Sequence, residues 1–420
     1  MVTSQQTAGS APVPLRRNRD FLCLWSGQAV STLGSQASRV AYPLLVLALT
    51  GSAAKAGFAG AAATLPYLLF PLLAGAYADR WDRRLLMIGC DVLRLLALAS
   101  VAVAALIETI TYQQVLLAGF AEGAGSVWYT IASRGAVPML VDPSQRTAAV
   151  SRNEARTYGA QLAGPAVGGA LFGVSRFLPF AADALSYLAS LGTLAMIRTP
   201  MQEATARDTV RSLWHDLGAG LRWSVRQPFQ RTSSAVSAVV NLCFQVQSLA
   251  VIVLARGDGA SSALIGAIVA CSGLGGLLGT FAAPALVHRI RPGVIIIGCI
   301  WLCTLCLTAL CVVPGALWLC PVLTVLGLVM GPWNVASQAY RMRITPNWML
   351  ARVSSVSFQV AWGAIPLGSL LAGVLLSSLS PVTTMGIAAS LLAVTAVVAT
   401  AARSMRRAGS ATDPYLAAGT

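Results

Sequence analysis

Long apolar segments alternate with short polar segments along almost the whole chain, and each apolar segment is long enough to cross a membrane. Within a segment the apolar residues are continuous and do not alternate with polar ones. A membrane-spanning helix needs about 20 apolar residues, and inside lipid only helices and closed barrels satisfy every backbone hydrogen bond. Continuous runs therefore predict helices. The twelve predicted spans are residues 20–48, 53–78, 84–107, 112–140, 147–174, 177–197, 230–255, 261–287, 292–313, 316–343, 350–378 and 381–402.

The two halves of the chain carry a weak internal repeat. Trp128 followed by Ala132-Ser133 recurs as Trp333 followed by Ala336-Ser337, at an offset of about half the chain length. Such a duplication is typical of a secondary transporter built from two bundles. We therefore predict an all-α membrane protein in which twelve transmembrane helices form two pseudo-symmetric six-helix bundles.

The polar segments divide the chain into five predicted regions. The longest of them lies between the sixth and seventh spans and carries apolar residues on one helical face with arginines nearby, which predicts an amphipathic helix on the membrane surface. The regions are an N-terminal tail (1–19), an N-terminal bundle (20–197), a linker with that amphipathic helix (198–229), a C-terminal bundle (230–402) and a C-terminal tail (403–420).

Composition and charge support a lipid-embedded protein. The chain of 420 residues is 56% hydrophobic and 10% charged, with a net charge of +15, whereas about a quarter of the residues in soluble domains are charged. Arginine concentrates before the first span, in alternate connections and after the last span, while the other connections hold only Lys55, Arg176 and Arg256. Positive residues favour the cytoplasmic side, so we predict that both termini are cytoplasmic and expect no nucleic-acid partner.

A charged turn joins the second and third spans. It reads Gly75-Ala-Tyr-Ala-Asp79-Arg80-Trp-Asp82-Arg83-Arg84, and its spacing resembles the loop-2/3 signature of the major facilitator superfamily. Further fragments resemble the exporter branch that includes macrolide-efflux pumps and enterobactin-type siderophore exporters. These fragments are Phe21-x-x-Leu24-Trp25-x-Gly27-Gln28 in the first span, Asp183-Ala-Leu-Ser186 in the sixth span and Gly220-Leu-Arg222-Trp in the linker.

The resemblance implies a cytoplasmic gate at the charged turn. Gly75 would allow two helices to approach closely, Asp79 would face the N-terminus of the eleventh span, and Arg83 would pair with Asp142. The alternative is a charged turn that only obeys membrane topology. The residues of the predicted gate are Gly75, Asp79, Arg80, Arg83, Arg84 and Asp142.

A second motif lies in the fifth span, where Gly164-Pro165-x-x-Gly168-Gly169 resembles the motif associated with antiporters. Proline removes a helical hydrogen bond and kinks the helix, and glycine permits close packing between helices. The resemblance implies export. Ordinary glycine-mediated packing is the alternative explanation.

Charged residues inside the spans are candidates for coupling transport to protons, because a charge at the bilayer centre is costly and needs a partner or a function. Glu122 lies about nine residues into the fourth span, and we predict Arg39 as its partner. A fixed ion pair between them is the alternative. Asp183 and Glu154 are further candidates, while Asp91 and Arg94 can satisfy each other at a spacing of three residues. Several proteins of the exporter branch carry an acid at the position of Ser35.

A substrate cavity is expected between the bundles near the bilayer midplane. Large aromatic side chains with a few amides suit a bulky amphipathic ligand, although Trp and Tyr also pack or anchor at membrane interfaces. The candidate lining residues are Gln28, Tyr129, Arg134, Asn241, Gln245, Trp333, Asn334, Gln338 and Trp362.

Together these features predict a proton-coupled antiporter that exports a small organic molecule, such as an antibiotic, a siderophore or another secondary metabolite. Import by proton symport is the alternative. The chain lacks a catalytic dyad or a phosphate-binding loop in its polar segments, which argues against an enzyme. We expect no metal and no cofactor beyond the proton gradient, and a monomer in the cell (inner or cytoplasmic) membrane of a bacterium.

Overall fold

The computed structural model describes residues 14–78, 80–201, 218, 220–312, 315–346 and 349–410, and the regular elements within these ranges are all helices. The first half contains α1 to α8, which are Arg19–Thr50, Ala53–Thr64, Pro66–Leu69, Pro71–Ala78, Arg83–Leu106, Tyr112–Leu140, Arg146–Val174 and Leu178–Met196. The second half contains α9 to α15, which are Pro228–Gly257, Ser262–Arg289, Pro292–Val312, Leu319–Ile344, Leu350–Ser378, Pro381–Ala401 and Arg403–Arg407.

Local sequence signals set several helix ends. The side chain of Asn18 caps α1 by accepting a hydrogen bond from the amide of Phe21 at 3.0 Å. Thr111 and Ser261 cap α6 and α10 in the same way, as expected for hydroxyl and amide side chains at helix starts. Gly51 ends α1 with a φ of 65°, a conformation that favours glycine. The observed ends lie within a few residues of the predicted spans.

Nine helices in the described part of the chain are long and apolar enough to cross a membrane. They are α5, α6 and α8 to α14, each corresponding to one predicted span. The remaining predicted spans correspond to α1, to α2–α4 and to α7. The first of these carries many polar residues, the second is interrupted, and α7 includes Arg152, Glu154 and Arg156.

The second predicted span, residues 53–78, is not one continuous helix. It breaks into α2, α3 and α4 at Pro66 and Pro71, because proline has no amide hydrogen to donate to the preceding turn. The side chain of Gln359 on α13 donates a hydrogen bond to the carbonyl of Leu68 between the two breaks. A residue from the second half of the chain thus supplies a hydrogen bond to a backbone carbonyl in the interrupted segment.

The helices pack as two groups. In the first half α1 packs against α7 and α8, and α5 packs against α6 and α8. In the second half α9 packs against α13 and α14, α10 against α12, and α11 against α12 and α14. The predicted all-α membrane fold is confirmed, and this packing agrees with two bundles. Within the described ranges, nine of the twelve predicted spans are long and apolar enough to cross a membrane, and the exact limits of the five regions remain predictions.

Two seams of glycine join the groups. In the seam between α7 and α10, a Cβ atom added to Gly169 would lie 2.8 Å from Cα of Gly266. In the seam between α2 and α13, a Cβ atom added to Gly373 would lie 2.9 Å from Cα of Gly57. Only glycine allows backbones to approach so closely.

Both seams lie toward the face opposite the one that carries the first and last described residues. We call the face with the chain ends the terminal face and the opposite one the far face. Gly75, near the terminal face, has no described atom within 4 Å of an added Cβ. Among the described residues, the close glycine contacts between the bundles therefore lie at the far face, and Gly75 makes none near the terminal face.

The predicted tails and linker are partly structured. Leu15 is 5% exposed, and the region after residue 402 begins with α15, whose Met405 is fully buried. Met405 packs against the start of α11 near Gly293, so the start of the predicted C-terminal tail is ordered, and the limits of that tail remain a prediction. Most of the predicted amphipathic linker helix, residues 202–217, lies outside the described residues.

Gly169→Ala should weaken the seam at the far face. The added methyl group would meet α10, and overpacking of this kind costs about 1–3 kcal/mol, which corresponds to a roughly 5- to 150-fold shift in an equilibrium between two conformations. Spin labels at Thr109 and Asp258, in a background without the native cysteines, should report a longer distance across the far face.

Gly159→Ala is the matched control for that experiment. Gly159 lies on the same helix, and no described atom lies within 4 Å of an added Cβ. Both substitutions therefore raise the helix propensity of α7 by the same amount, but only Gly169→Ala disturbs the packing between helices. Equal lengthening in the two variants would contradict a seam at Gly169.

Candidate functional site

A buried ion cluster lies among the helices of the first bundle. Its centre is the guanidinium of Arg94 on α5. Nη1 of Arg94 lies 3.5 Å from Oδ1 of Asp91, one turn earlier on the helix, and Nη2 lies 3.2 Å from Oε1 of Glu122 on α6. At 1.5 Å per residue, Arg94 and Glu122 lie roughly 15 Å from the starts of their helices. The cluster therefore occupies the middle of the membrane-spanning region.

Hydroxyl groups from two more helices complete the cluster. Nη2 of Arg94 donates to Oγ of Ser35 on α1 at 3.0 Å, and Ser35 shares a hydrogen bond of 2.9 Å with the hydroxyl of Tyr187 on α8. That hydroxyl lies 3.4 Å from Oε1 of Glu122 and 3.5 Å from Oδ2 of Asp183, so it can donate to either carboxylate. The Arg94 guanidinium also lies 4.1 Å from the centroid of the Tyr187 ring, a favourable cation–π distance.

The cluster holds one cation and three carboxylates with unequal access to water. Asp91 and Asp183 are fully buried, and Asp183 accepts a hydrogen bond of 3.1 Å from the hydroxyl of Ser186. The side chain of Glu122 is 19% exposed. Glu122 is therefore the carboxylate of this cluster through which a proton can exchange with water most directly.

The structure changes the predicted partner of Glu122. The partner is Arg94, and Arg39 is exposed, so the predicted pair of Glu122 with Arg39 is wrong. Arg39 lies one helical turn beyond Ser35 on α1, and the guanidinium of Arg94 already occupies the space between Ser35 and Glu122. The predicted pairing of Asp91 with Arg94 is confirmed. Glu154 is exposed on α7 and lies outside the cluster.

The predicted gate is only partly assembled. Arg83 donates to the carbonyls of Gly135 and Met201 at 2.8 and 3.2 Å, while Asp142 caps the short 3₁₀ helix Pro143–Gln145. Hydrogen bonds from the hydroxyl and the amide of Ser144 lower the pKa of Asp142 below its ordinary value. The predicted Arg83–Asp142 pair is therefore wrong, because local capping takes up the carboxylate.

The other members of the gate lie at the terminal face. Arg80 is exposed, and Arg84 donates to the carbonyl of Ala195 at 2.6 Å. The close helix approach expected at Gly75 is absent from the described residues in this conformation. Asp79 lies outside the described residues, so its contact with the start of α13 remains a prediction.

The Gly-Pro motif of α7 packs between two helices. Added Cβ atoms at Gly164 and Gly168 would meet the backbone of α1, whereas Gly169 faces α10 in the other bundle. The carbonyl of Pro165 would meet a Cβ atom on Gly266. The motif therefore forms the seam at the far face, in agreement with the close packing predicted for it.

An aromatic strip crosses from one bundle to the other. Trp362 on α13 stacks on Tyr67 of α3, with ring centroids 5.6 Å apart, and on Phe358 of its own helix at 4.9 Å. The guanidinium of Arg134 on α6 lies 5.9 Å from the Phe358 ring centroid. We define the aromatic strip as Tyr67, Trp362, Phe358 and Arg134. It presents aromatic faces and a cation between the bundles, on the terminal side of the α2–α13 seam.

Three of the predicted lining residues belong to bundle interiors. Gln28 is buried and accepts a hydrogen bond from Arg156, and the hydroxyl of Tyr129 lies 3.5 Å from Oγ of Ser190. Trp333 is 5% exposed and packs in the hydrophobic core of the second bundle. In this conformation each of these side chains packs inside its bundle, and a role in lining the cavity remains a prediction.

The remaining lining candidates differ in their environment. Asn241 donates to the carbonyl of Ala361 at 2.8 Å, and Gln245 donates to Oγ of Ser369 at 3.1 Å. Both side chains tie α9 to α13. Asn334 and Gln338 are exposed on α12. That Asn334 and Gln338 line the substrate cavity remains a prediction.

Sequence reasoning missed the residues that join separate helices. The sequence pattern pairs Arg94 only with its neighbour Asp91, and it does not indicate roles for Tyr187, Tyr67, Phe358 or Gln359. A partial signal was present for Arg94, since one arginine beside one acid at mid-membrane depth attracts any further acid at the same depth. Two members of the aromatic strip, Trp362 and Arg134, are among the predicted cavity-lining residues, whereas Tyr67 and Phe358 have no signal in the one-dimensional pattern.

Comparisons with known proteins identify relatives of this chain. A family model described as transmembrane secretion effector matches residues 9–415. Macrolide efflux protein A of Streptococcus pyogenes is 28% identical over 181 residues, which are 43% of this chain and 45% of that protein. Multidrug efflux pump Tap of Mycolicibacterium fortuitum is 24% identical over 347 residues, which are 81% of this chain and 85% of that pump. The match thus spans less than half the length of the macrolide efflux relative.

Solved structures share the fold. A bacterial homolog of the human lysosomal transporter Spinster, in an inward-facing and unoccupied conformation, superposes with a TM-score of 0.72 and 14% identity over 95% of this chain and 98% of that one. A D-xylose-proton symporter superposes with a TM-score of 0.68 and 16% identity over 90% and 96% of the two chains.

Arg94→Met should destabilise the protein far more than Arg39→Met. Removing one partner of a buried ion pair costs about 3–5 kcal/mol, because the other charge stays buried without compensation, whereas exposed substitutions usually change stability by about 0.5 kcal/mol or less. The melting temperature of the purified proteins measures the difference. The deficit of Arg94→Met should shrink as the pH falls, because protonated carboxyl groups need no counter-ion. Equal losses in the two variants would contradict the central position of Arg94.

Proposed function

The chain belongs to the transmembrane secretion effector family of the major facilitator superfamily, and from that premise we propose that it is a proton-coupled antiporter that exports a small organic molecule. The family and the fold are those of multi-pass membrane transporters. The observation that carries the proton-coupling proposal is the buried ion cluster, in which one guanidinium faces three carboxylates.

Charge balance supports proton binding at the cluster. Arg94 compensates one carboxylate, and uncompensated charge in a low-dielectric interior is expensive. A proton bound at Glu122 lowers the net charge of the cluster from −2 to −1 and removes the charge that holds Nη2 of Arg94 at 3.2 Å. Release of that proton restores the pair. Because the cluster ties α1, α5, α6 and α8 together, a change of protonation alters the packing of the whole bundle.

The cycle uses two conformations of the bundles. We propose that the terminal face is cytoplasmic, since it carries most of the arginines. With the far face sealed by glycine seams, the observed conformation is then inward-facing, and substrate enters from the cytoplasm. Opening of the seams would expose the same space to the outside, where substrate leaves and a proton reaches Glu122.

The aromatic strip supports a bulky amphipathic substrate. Stacked rings of Tyr67, Trp362 and Phe358 offer flat apolar surfaces, and Arg134 adds a cation beside them. Ligand sites typically combine an apolar wall with a few polar groups. An antibiotic, a siderophore or another secondary metabolite fits this description, with the protein acting as a monomer in the cytoplasmic membrane of a bacterium.

Export is preferred to import for two reasons. The Gly-Pro motif of α7 resembles that of antiporters and lies in the far-face seam, and two relatives are named efflux proteins. Import by symport is the second candidate, because the fold is shared with a D-xylose-proton symporter. Accumulation of macrolides and siderophores in an efflux-deficient host, with and without a protonophore, separates them. Export lowers accumulation and import raises it, and in both cases a protonophore abolishes the effect.

Glu122→Gln should abolish proton-coupled transport while the protein still inserts into the membrane. The amide keeps the size and a hydrogen bond to Arg94 but cannot exchange a proton. Transport into inverted vesicles with an imposed pH gradient measures the loss. Unchanged transport would remove Glu122 from the coupling step.

A second substitution makes that test sharper. Ser35 contacts both Arg94 and Tyr187, so a carboxylate at position 35 would meet the same guanidinium. Glu122→Gln with Ser35→Asp should regain part of the coupled transport, and Glu122→Gln with Ser26→Asp, on the exposed side of α1, should not. Equal activity of the two double variants would contradict a role for the Arg94 contact.

Trp362→Ala should raise the substrate concentration needed for half-maximal transport roughly two- to thirteenfold, because an aromatic contact contributes about 0.5–1.5 kcal/mol. Trp301→Ala is the control, since Trp301 is similarly exposed but lies on α11, where it donates to the hydroxyl of Thr400. The same change in both variants would argue against the aromatic strip as a substrate surface.

A further inference from the structure

An arginine-lined cavity lies at the terminal face, away from both the ion cluster and the aromatic strip. It is a shallow depression that is largely open to the surface, has a volume of about 470 Å³ and is formed where α1 begins and α8 ends. Three arginines line it together with apolar side chains. The lining residues that matter here are Arg16, Arg17, Arg19, Leu22, Trp25 and Met196.

The cavity is held in place by hydrogen bonds between its two walls. The carboxylate of Asp20, in the first turn of α1, accepts from the amides of Arg198 and Thr199 at 3.3 and 2.8 Å and from the hydroxyl of Thr199 at 2.5 Å. The indole of Trp25 donates to the carbonyl of Arg152 at 3.3 Å. The start of α1 is thereby fixed to the end of α8 and to α7. The carboxylate of Asp20 is thus occupied by hydrogen bonds to Arg198 and Thr199. Among the described residues, the guanidinium groups that line the cavity form no ion pair.

Positive charge extends around the cavity. Arg84 reaches the carbonyl of Ala195, the neighbour of Met196, at 2.6 Å, and Arg198 follows the end of α8. Arg16, Arg17 and Arg19 are themselves exposed. An anion is therefore the ligand that complements this surface.

An apolar stripe leads from the cavity along the outer surface of α8. Leu185, Leu188 and Met196 are 63%, 48% and 49% exposed, and their spacing places them on one side of the helix. Between them, Gly192 has no described atom within 4 Å of an added Cβ. The stripe therefore has a notch at Gly192, one turn before Met196 at the mouth of the cavity.

We propose that this cavity binds an anionic phospholipid of the adjacent membrane leaflet. The phosphate is held by Arg16, Arg17 and Arg19, since guanidinium groups bind phosphate through paired hydrogen bonds. One acyl chain lies along the stripe of α8 and passes through the notch at Gly192. A soluble phosphate compound carries the same negative charge but has no acyl chain that could pack against the apolar stripe. The stripe therefore favours a lipid over a soluble phosphate.

Native mass spectrometry of the purified full chain tests the proposal with dioleoyl-phosphatidylglycerol and dioleoyl-phosphatidylcholine as probes. The protein should retain phosphatidylglycerol in preference to phosphatidylcholine. Arg16→Gln combined with Arg17→Gln and Arg19→Gln should reduce that retention at least tenfold, because each basic residue contributes about 1 kcal/mol, or a factor of about five, at an anionic surface.

The matched control removes three arginines from the other end of the chain. Arg403→Gln with Arg406→Gln and Arg407→Gln lowers the net charge equally at the same face, so general attraction to an anionic membrane falls by the same amount. This variant should keep its phosphatidylglycerol. Equal loss in the two triple variants, or equal retention of the two lipids by the unmodified protein, would overturn the proposal.

Gly192→Leu tests the acyl-chain part without altering charge. Filling the notch should lower retention of phosphatidylglycerol while binding of glycerol 3-phosphate is unchanged. The substitution faces outward and should leave the melting temperature unaltered, which keeps the test valid where the triple variant folds poorly. If glycerol 3-phosphate displaces phosphatidylglycerol at equal concentration and Gly192→Leu has no effect, the cavity is a site for a soluble phosphate and the lipid proposal is wrong.

Discussion

A guanidinium group in the middle of the membrane is the constraint around which the first bundle is arranged. Arg94 cannot lose its charge under ordinary conditions, and leaving that charge unpaired in lipid would cost several kcal/mol. Its contacts therefore recruit Ser35 from α1, Glu122 from α6 and the ring of Tyr187 from α8. Four helices are held in one arrangement by a single side chain, and a proton at Glu122 would act on all of them.

The glycine seams complement that constraint. The ion cluster makes the first bundle a unit, while contacts between the bundles rest on close backbone approach at Gly169 with Gly266 and Gly57 with Gly373. Such contacts stabilise by van der Waals packing and involve no buried charge. Strong polar interactions within a bundle and weaker apolar ones between bundles allow the bundles to move relative to each other as intact bodies.

The interruption of the second predicted span lies where the two bundles meet. Pro66 and Pro71 free backbone carbonyls, and Gln359 of the other bundle donates to that of Leu68. The adjacent Tyr67 stacks on Trp362. A break in a helix within the membrane is tolerated only where other groups satisfy the backbone, so the aromatic strip and the interruption occupy the same place for a physical reason.

The sequence alone determined the order, length and ends of nearly all the helices. Length and continuity of apolar runs report whether a segment can cross a membrane, and local residues such as Asn18 and Gly51 stop or start a helix regardless of what surrounds it. The two-bundle arrangement also followed from the sequence, through the repeat and the family resemblance. Pro66 and Pro71 are visible in the sequence, and each proline can interrupt a helix. The interruption is tolerated inside the membrane because Gln359 of the other bundle donates a hydrogen bond to the carbonyl of Leu68.

Only the tertiary structure decided which distant side chains meet. Arg39 and Arg94 are both intramembrane cations at similar depth, and the neighbouring Asp91 is only a partial signal that Arg94 is the one that faces Glu122. The rotation of α1 and α5 about their axes decides it. Trp333 and Trp362 are likewise equivalent in sequence, yet one packs in a core and the other lies between bundles. A pattern in one dimension measures depth in the membrane, whereas the direction of a side chain around its helix is set by the neighbours against which that helix packs.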